Sequence, residues 1–321
     1  MFQFPEKMKR VFREEAHQEQ FERDGYIILP FYTTEEIEEL TALYHRLHPQ
    51  DEKGFFPSTF SSDKNYRQTA DREIQRVCER SISAYFMDVQ VMNGSFIVKS
   101  PGPESGMCVH QDMTLVDESR FTGINIWVPL IDLTIENGGL FVLPKSHRIH
   151  PTYRGSTVRE MFCGIMDHMV DYLHPVMVKA GQAVFFDQSI IHFSPPNYSN
   201  SVRIVTNTYF THKDAEFRTC YFSKEHSGKV ELFKQSNTFM TDFEQFGRNI
   251  HNRPTVGESL GLVDYDFPEL STDFFDKEFG RTDARKQIEA AAPKNEAVVA
   301  EHQALPEVKR GFFARLKELV S

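Results

Sequence analysis

The sequence predicts a mainly β protein with helices on its flanks, and two observations support this prediction. Between residues 89 and 215, short β-branched and aromatic runs follow one another between turn residues, which is typical of an antiparallel sandwich or barrel. The residues before them, 1–88, instead carry many Glu, Lys, Arg and Gln residues, with apolar residues at helical spacing. A chain of 321 residues is long enough to bury a large core around such a sheet.

The individual elements follow from local patterns. Helices are expected over 5–24, after the capping residue Thr33, and over 71–88, with a strand at YIILPFY and a long loop over 53–71. The strand candidates of the β region are SFIVKS, FTGINIWVPLI, GGLFVLP, HPVMVKAG, QAVFFDQSIIHF and VRIVTNTYF.

We expect a single domain over 1–280. Within it, a helical N-terminal part covers 1–88, the β core covers about 89–215, and a C-terminal extension covers 216–280. The remaining 281–321 are rich in Ala, Glu and Lys and are predicted to be a linker. This linker ends in the short amphipathic segment GFFARLKELVS, which would dock either on its own domain or on a partner.

Composition excludes several classes of protein. The formal net charge of −10 argues against a nucleic-acid binder, which needs a basic face. No apolar run approaches the length of a membrane span, and the N-terminus has no apolar region typical of a signal peptide. The 4 cysteines form no CxxC pair, which excludes a thiolate zinc knuckle and argues against a disulfide scaffold. We therefore expect a cytoplasmic protein.

Three residues form a candidate metal-binding pattern. His110 and Asp112 follow a candidate strand in the run CVHQD, and His192 ends the run QAVFFDQSIIH. Residues i and i+2 of a strand point to the same face, so His110 and Asp112 can converge on one point. His192 would complete two imidazoles and one carboxylate, the ligand set of non-haem Fe(II) oxygenases. A His-x-Asp pair by itself also fits a surface histidine beside a turn aspartate.

Arg203 lies eleven positions after His192, in the strand candidate VRIVTNTYF. An arginine binds a carboxylate through two hydrogen bonds and keeps its charge at any relevant pH. If the two residues lie on adjacent strands joined by SPPNYSNS, the guanidinium reaches the far end of a dicarboxylate that is chelated to the metal. Taken alone, Arg203 also fits a plain salt bridge. The ordered set of His-x-Asp, distant His and Arg favours the dicarboxylate.

With these residues, the sequence resembles the phytanoyl-CoA dioxygenase-like branch of the Fe(II)/2-oxoglutarate oxygenases. The resemblance runs from about Phe21 to Phe210. It includes the segments FERDGYIILPFYTTEEIEEL, HQD, NIWVPLIDLTIENGGLFVLPKSH and AGQAVFFDQSIIHFSPPNYSNSVR. The turn PKSH departs from the family's PGSH, which has little bearing on the metal.

The resemblance implies a double-stranded β-helix (jelly-roll) core flanked by N-terminal helices. It implies that His110, Asp112 and His192 hold the iron and form the catalytic centre. The co-substrate 2-oxoglutarate would be held by Arg203 and by the hydroxyl of Ser194. Trp127, the one tryptophan of the sequence, is either an aromatic near the co-substrate or a core residue. Relatives that transfer halide replace the carboxylate of Asp112 with a small residue, so halogenation is disfavoured here.

The predicted activity is that of an Fe(II)- and 2-oxoglutarate-dependent dioxygenase. It would use O2 to hydroxylate an unactivated C–H bond of a small organic molecule, or of a metabolite linked to CoA or a carrier, and release succinate and CO2. One alternative is a cupin-like jelly-roll protein that binds metal without oxygenase activity, although such a protein has no need for Arg203. The other is the same enzyme class performing desaturation, cyclisation or epoxidation.

Basic residues are concentrated in the stretch KSHRIHPTYRGSTVRE of this otherwise acidic chain. One interpretation is a solvated surface loop. The other is that Arg154 and Arg159 recognise an anionic group of the substrate, such as a carboxylate, a phosphate or a carrier's phosphopantetheine.

Overall fold

The computed structural model describes residues 9–48, 53–149, 153–244 and 246–293. Its helices are α1 (Glu15–Asp24), α2 (Thr34–Leu47), α3 (Lys64–Tyr85), α4 (Met166–Met169), α5 (Phe239–Asp242), α6 (Phe246–Asn249), α7 (Thr272–Glu278) and α8 (Ala284–Ala291). Its strands are β1 (Tyr26–Pro30), β2 (Phe55–Pro57), β3 (Val89–Lys99), β4 (Met107–His110), β5 (Ile124–Pro129), β6 (Leu140–Val142), β7 (His174–Val176), β8 (Gln182–Asp187), β9 (His192–Ser194), β10 (Arg203–His212), β11 (Arg218–Tyr221), β12 (Lys229–Lys234) and β13 (Glu258–Asp264). None of the helices within these ranges combines the length and the apolar character needed to cross a bilayer.

The central strands form two facing antiparallel sheets. One has the order β1-β8-β5-β10-β3-β2, and the other has the order β4-β9-β6-β7. From β3 to β10 the chain alternates between these two sheets, except that β6 and β7 follow each other in the four-stranded sheet and pair there. Eight antiparallel strands wound in this way form a jelly roll. The predicted double-stranded β-helix core is therefore confirmed.

The six-stranded sheet separates two apolar layers, because successive residues of a strand point to opposite faces. On β5, Ile124, Ile126 and Val128 pack in a core with residues of α1, α2 and α3. Trp127, which lies between Ile126 and Val128, packs in a different core between the two sheets. We call the space between the sheets the barrel interior. The N-terminal helices thus cover the outer face of the sheet, and alternate strand residues line the interior.

Helix α3 begins earlier than the sequence predicts. The expected loop over 53–71 contains β2 and the start of α3, which begins at Lys64. Asp63 caps this helix, because its side chain accepts hydrogen bonds from the backbone N–H groups of Asn65 and Tyr66. The buried apolar residues of α3 begin only at Ala70, which explains why the sequence shows no helical period before that point.

The first helix is shorter than the prediction of 5–24. It begins at Glu15, and none of residues 9–14 is helical, while residues 5–8 of the prediction lie outside the described residues. Phe12 is fully buried and forms an isolated β-bridge with Phe86. Phe12 therefore lies in the core beside Phe86 and is not part of a helix.

The residues after the jelly roll add a third sheet, β11-β12-β13, and the helices α5 to α8. Helix α8 lies within the predicted linker 281–321, with Ala284 buried and the Nε of Arg285 donating a 2.8 Å hydrogen bond to Asp171. The first part of this segment is therefore a packed helix, and the domain division at 280 stays a prediction. The amphipathic segment 311–321 lies outside the described residues.

Candidate active site

Two histidines and one aspartate meet in the barrel interior, and we call them the triad. His110 ends β4, His192 begins β9, and the two residues are paired across these strands. Asp112 follows two positions after His110, where its backbone N–H donates to the carbonyl of Gln188 at 3.0 Å. One potential ligand atom from each of the three side chains lies within 4.8 Å of the other two. The structure thus brings together the three residues that the sequence predicts as metal ligands.

Hydrogen bonds orient both imidazoles of the triad. Nδ1 of His110 lies 2.8 Å from the carbonyl oxygen of Cys108, and Nδ1 of His192 lies 3.0 Å from that of Ile190. Because a carbonyl only accepts, each ring carries a proton on Nδ1, which leaves Nε2 as the nitrogen that faces the carboxylate. The two Nε2 atoms lie 3.8 and 3.9 Å from the same atom, Oδ1 of Asp112. Burial, reinforced by the neighbouring imidazole, lowers the pKa of His110 to about 4 and keeps it neutral.

This donor set fits a divalent transition metal. Two imidazole nitrogens and one carboxylate oxygen form one face of a coordination sphere and leave the opposite positions open, as in non-haem Fe(II) oxygenases. The side chains of His110 and Asp112 are 23% and 19% exposed, so small molecules can approach the open side. The carboxylate oxygen also faces two nitrogen lone pairs, and a cation between them would remove the resulting repulsion.

A second polar centre lies in the same interior, and we call it the cation pair. Arg203 and Lys99 are opposite each other where β10 pairs with β3, and they are 1% and 0% exposed. Nη1 of Arg203 donates to the carbonyl of Gly138 at 2.7 Å. Nζ of Lys99 donates to the carbonyls of Ser194 and Pro195 at 2.9 and 2.5 Å. Neither cation has an ion-pair partner among the described residues.

The cation pair is electrostatically incomplete. Burying a charge without an opposite partner is unfavourable, and so is placing like charges directly across a sheet. Burial lowers the pKa of Arg203 to about 9, and burial together with the charge of Arg203 lowers the pKa of Lys99 well below its usual value. Nε of Arg203 is buried with no hydrogen-bond partner among the described residues. An anion at this point would balance both charges and accept a hydrogen bond from Nε of Arg203.

The other two residues predicted to contact the co-substrate lie beside the cation pair. The ring centroid of Trp127 lies 5.4 Å from the guanidinium carbon of Arg203, which is a cation–π contact. Ser194 is buried in β9 and shares a face with His192, while Phe193 between them packs in the core outside the four-stranded sheet. Both residues therefore have positions from which they can reach a ligand in the interior.

The adjacent-strand arrangement considered for His192 and Arg203 is not the one observed. The strands β9 and β10 are consecutive in the chain, but β9 belongs to the four-stranded sheet and β10 to the six-stranded sheet. Their side chains therefore enter the barrel interior from opposite sheets.

A family comparison bears on the same region of the chain. The model of the phytanoyl-CoA dioxygenase (PhyH) family matches residues 21–205, which is more than half of the chain and includes the triad and the cation pair. The chain belongs to the phytanoyl-CoA dioxygenase family. The resemblance noted in the sequence is thereby confirmed.

Individual members of the phytanoyl-CoA dioxygenase family match over a shorter range. A phytanoyl-CoA dioxygenase domain-containing protein 1 of Danio rerio is 29% identical over 147 residues, which are 43% of this chain and 50% of the relative. A phytanoyl-CoA dioxygenase of Arabidopsis thaliana is 26% identical over 144 residues, which are 42% of this chain and 47% of the relative. The chain thus matches about half the length of these relatives.

Similar solved structures are more distant. The non-heme alpha ketoglutarate dependent carbocyclase SnoK from nogalamycin biosynthesis has a TM-score of 0.46 and 18% identity, over 64% of this chain and 86% of its own. HygX from Streptomyces hygroscopicus, with nickel and 2-oxoglutarate bound, has a TM-score of 0.43 and 14% identity, over 61% and 86%. At these scores we draw no conclusion about the reaction from either structure.

The two arginines predicted to bind the substrate of this phytanoyl-CoA dioxygenase family member already hold carboxylates. Arg154 is buried, with Nη1 donating to Glu118 and Nε donating to the backbone carbonyl of Asp112, both at 2.8 Å. Arg159 is exposed and pairs with Glu269. Their role in substrate recognition stays a prediction, and Arg154 directly supports the segment that carries Asp112.

Sequence reasoning missed Lys99. In the strand candidate SFIVKS, Lys99 shares a face with Ile97, and Ile97 packs against the core of the barrel interior. Lysine is almost never fully buried unless it has a partner. A lysine on the apolar interior face of a predicted strand could therefore have indicated that Lys99 belongs to a binding site.

Proposed function

We propose that this protein is an Fe(II)- and 2-oxoglutarate-dependent dioxygenase that uses O2 to hydroxylate an unactivated C–H bond. The substrate would be a small organic molecule or a metabolite linked to CoA or a carrier, and succinate and CO2 would be released. The observation that carries this proposal is that one barrel interior holds a His–Asp–His face and a buried cation pair without an ion-pair partner among the described residues. The first suits Fe(II), and the second suits the far carboxylate of a dicarboxylate.

In this proposal the triad holds the metal. Nε2 of His110, Nε2 of His192 and Oδ1 of Asp112 are the ligand atoms, because they face one another and the Nδ1 atoms are engaged with backbone carbonyls. When bound, Fe(II) supplies the activation of O2 that is coupled to the oxidative decarboxylation of 2-oxoglutarate. A single carboxylate leaves a divalent site with net positive charge, which attracts the keto-acid end of the co-substrate.

The cation pair holds the other end of the co-substrate. The spare donor of Arg203 and the ammonium group of Lys99 would bind the far carboxylate. The hydroxyl of Ser194, a residue whose backbone carbonyl accepts a hydrogen bond from Lys99, would add a further hydrogen bond. Trp127 packs against the guanidinium and restricts its movement. Apolar neighbours such as Val205 exclude water, which strengthens these charge interactions.

An anaerobic titration tests the proposal. We expect that adding Fe(II) and then 2-oxoglutarate to the apo-protein produces the visible charge-transfer band of a chelated keto acid. His110→Ala should abolish the band, and Arg253→Ala, which removes an exposed arginine paired with Glu231, should leave it unchanged. A metal-loaded wild type that shows no band would overturn the proposal and favour a metal-binding protein without oxygenase activity.

A second measurement addresses the reaction type. Succinate formation is followed in the presence of matched free acids and CoA esters, and products are identified by mass. One added oxygen atom in the product of a substrate without a C=C bond supports hydroxylation of a C–H bond, because epoxidation of a C=C bond would add the same mass. A product that has lost two hydrogen atoms would instead indicate desaturation or cyclisation.

A further inference from the structure

Asn125 lies where the carboxylate of Asp112 meets the six-stranded sheet. It is 0% exposed on β5, and its Nδ2 donates to Oδ2 of Asp112 at 2.5 Å. Both imidazole Nε2 atoms of the triad approach the other oxygen, Oδ1. The two carboxylate oxygens therefore have different surroundings, with the histidines on one side and an amide on the other.

A second asparagine extends this contact, and the carboxylate settles which end of the Asn125 amide faces it. Nδ2 of Asn207, on the neighbouring strand β10, donates to Oδ1 of Asn125 at 3.3 Å. A carboxylate only accepts hydrogen bonds, so Asn125 must present its NH2 group to Asp112 and its oxygen to Asn207. A chain of donors thus runs from Asn207 through Asn125 to Asp112 and orients the carboxylate from the sheet.

We propose that Asn125 is a positioning residue that orients Asp112 for metal binding. It holds Oδ2 so that Oδ1 points toward the two histidines before the metal arrives. This inference rests on the proposed Fe(II) role of the triad and extends it to a residue of β5. Asn207 contributes indirectly, because it fixes the orientation of the Asn125 amide.

The chemistry of asparagine suits this role. A neutral amide donates a hydrogen bond without cancelling the carboxylate charge that attracts the metal, whereas a lysine or arginine would cancel it. Asparagine is also disfavoured in strands, and burying its amide is unfavourable unless hydrogen bonds compensate. Its neighbours Ile124 and Ile126 pack in the outer core, so of these three residues of β5 it is Asn125 that places a polar group on the interior face.

The test measures anaerobic Fe(II) affinity by competition with a chelating dye, together with the thermal unfolding midpoint of the apo-protein. Asn125→Leu keeps the side-chain size and removes the donor. We expect its Fe(II) affinity to fall about 10- to 100-fold, the usual range when a hydrogen-bond partner of a metal ligand is lost. Asn207→Leu should lower the affinity by about threefold, since it removes one net hydrogen bond that acts through Asn125.

Thr211→Val is the matched control. It removes another buried hydrogen bond of β10, from Thr211 Oγ1 to the carbonyl of Thr122, and we expect it to lower stability while leaving Fe(II) affinity unchanged. An Asn125→Leu protein that binds Fe(II) like the wild type overturns this inference alone. An equal loss of affinity in Thr211→Val also overturns it, because the effect would then be structural. A wild type that binds no Fe(II) overturns the proposed function and this inference with it.

If Asn125→Leu does not fold, the Fe(II) affinity of the Asn207→Leu protein tests the inference. An affinity about threefold below that of the wild type, with Thr211→Val unchanged, supports the inference. An affinity equal to that of the wild type overturns it.

Discussion

The triad and the cation pair share one barrel interior, but their electrostatic situations are opposite. The triad has one carboxylate oxygen facing two imidazole nitrogens and would be stabilised by a cation between them. The cation pair has two buried positive charges and lacks a carboxylate among the described residues. Each centre is therefore stabilised by a ligand of the sign that it lacks.

Because of this difference, one interior can select a ligand with two chemically different ends. A dicarboxylate that chelates a metal through one end and pairs with cations through the other would satisfy both centres at once. Since the centres lie on facing sheets, a change in one should leave the intrinsic affinity of the other intact. Substitutions in each centre test whether metal binding and 2-oxoglutarate binding are independent.

The largest effect is expected for Asp112→Ala. Removing the one anionic ligand of the triad should lower Fe(II) affinity by about 100-fold or more, because each ligand carries a large share of the binding free energy. Chelator competition and metal content measure the change. Asp132→Ala, which removes an exposed carboxylate paired with Lys179, is the control and should bind Fe(II) normally. Near-normal binding by Asp112→Ala would exclude this residue from the metal site.

The next largest effect is expected for Arg203→Met, which should weaken 2-oxoglutarate binding at the cation pair. We expect 2-oxoglutarate affinity to fall by about 100-fold, since losing one partner of a buried charge pair costs about 2–5 kcal/mol. Fe(II) affinity should stay within about twofold, because the guanidinium touches no member of the triad in our proposal. The charge-transfer band reports the first quantity, and chelator competition reports the second. Equal losses in both would show that the two centres are not independent.

Lys99→Met should weaken 2-oxoglutarate binding less than Arg203→Met does, and it should stabilise the ligand-free fold. We expect 2-oxoglutarate affinity to fall by about tenfold, or about 1.4 kcal/mol. The thermal midpoint of the ligand-free protein should rise, because replacing a buried unpaired charge with an apolar side chain is often stabilising. A lower midpoint with unchanged affinity would mean that Lys99 only supports the carbonyls of Ser194 and Pro195.

The same variant gives a signed pH prediction. The folded-state pKa of Lys99 is well below its ordinary value of 10.5, so at pH values between the two the unfolded chain binds more protons than the folded one. The free energy of unfolding of the wild type should therefore rise with pH in that window. Lys99→Met should lack this contribution, and urea unfolding across the alkaline range measures the difference. Identical slopes would show that folding does not lower the pKa of Lys99.

Trp127→Leu should give the smallest effect. Cation–π contacts contribute about 0.5–2 kcal/mol, and this one acts on 2-oxoglutarate only through the orientation of Arg203, so its loss should weaken binding by about threefold. Trp127→Phe is the matched variant, because it keeps an aromatic face toward Arg203. We expect Trp127→Phe to bind nearly as the wild type does. If both variants lose the same affinity, packing and not the ring's charge distribution is responsible.

The sequence was sufficient to predict the triad because its pattern is largely local. His110 and Asp112 are two positions apart at the end of a strand, and His192 ends a recognisable apolar run. Arg203 was predictable from its spacing to His192. The contacts of Lys99 and Asn125 were not predictable, because they depend on the pairing of β3, β5 and β10. That pairing joins residues that are distant along the chain.

The sequence by itself determined the β character of the core, the face on which each strand residue lies, and the capping of α2 by Thr33. These are local properties, since the period of a strand and the cap of a helix depend on the backbone within a few residues. Tertiary structure alone decided that β9 and β10 belong to opposite sheets and that Lys99 is opposite Arg203. Sheet order and register are set by hydrogen bonds and packing between strands far apart in sequence, and no short segment specifies them.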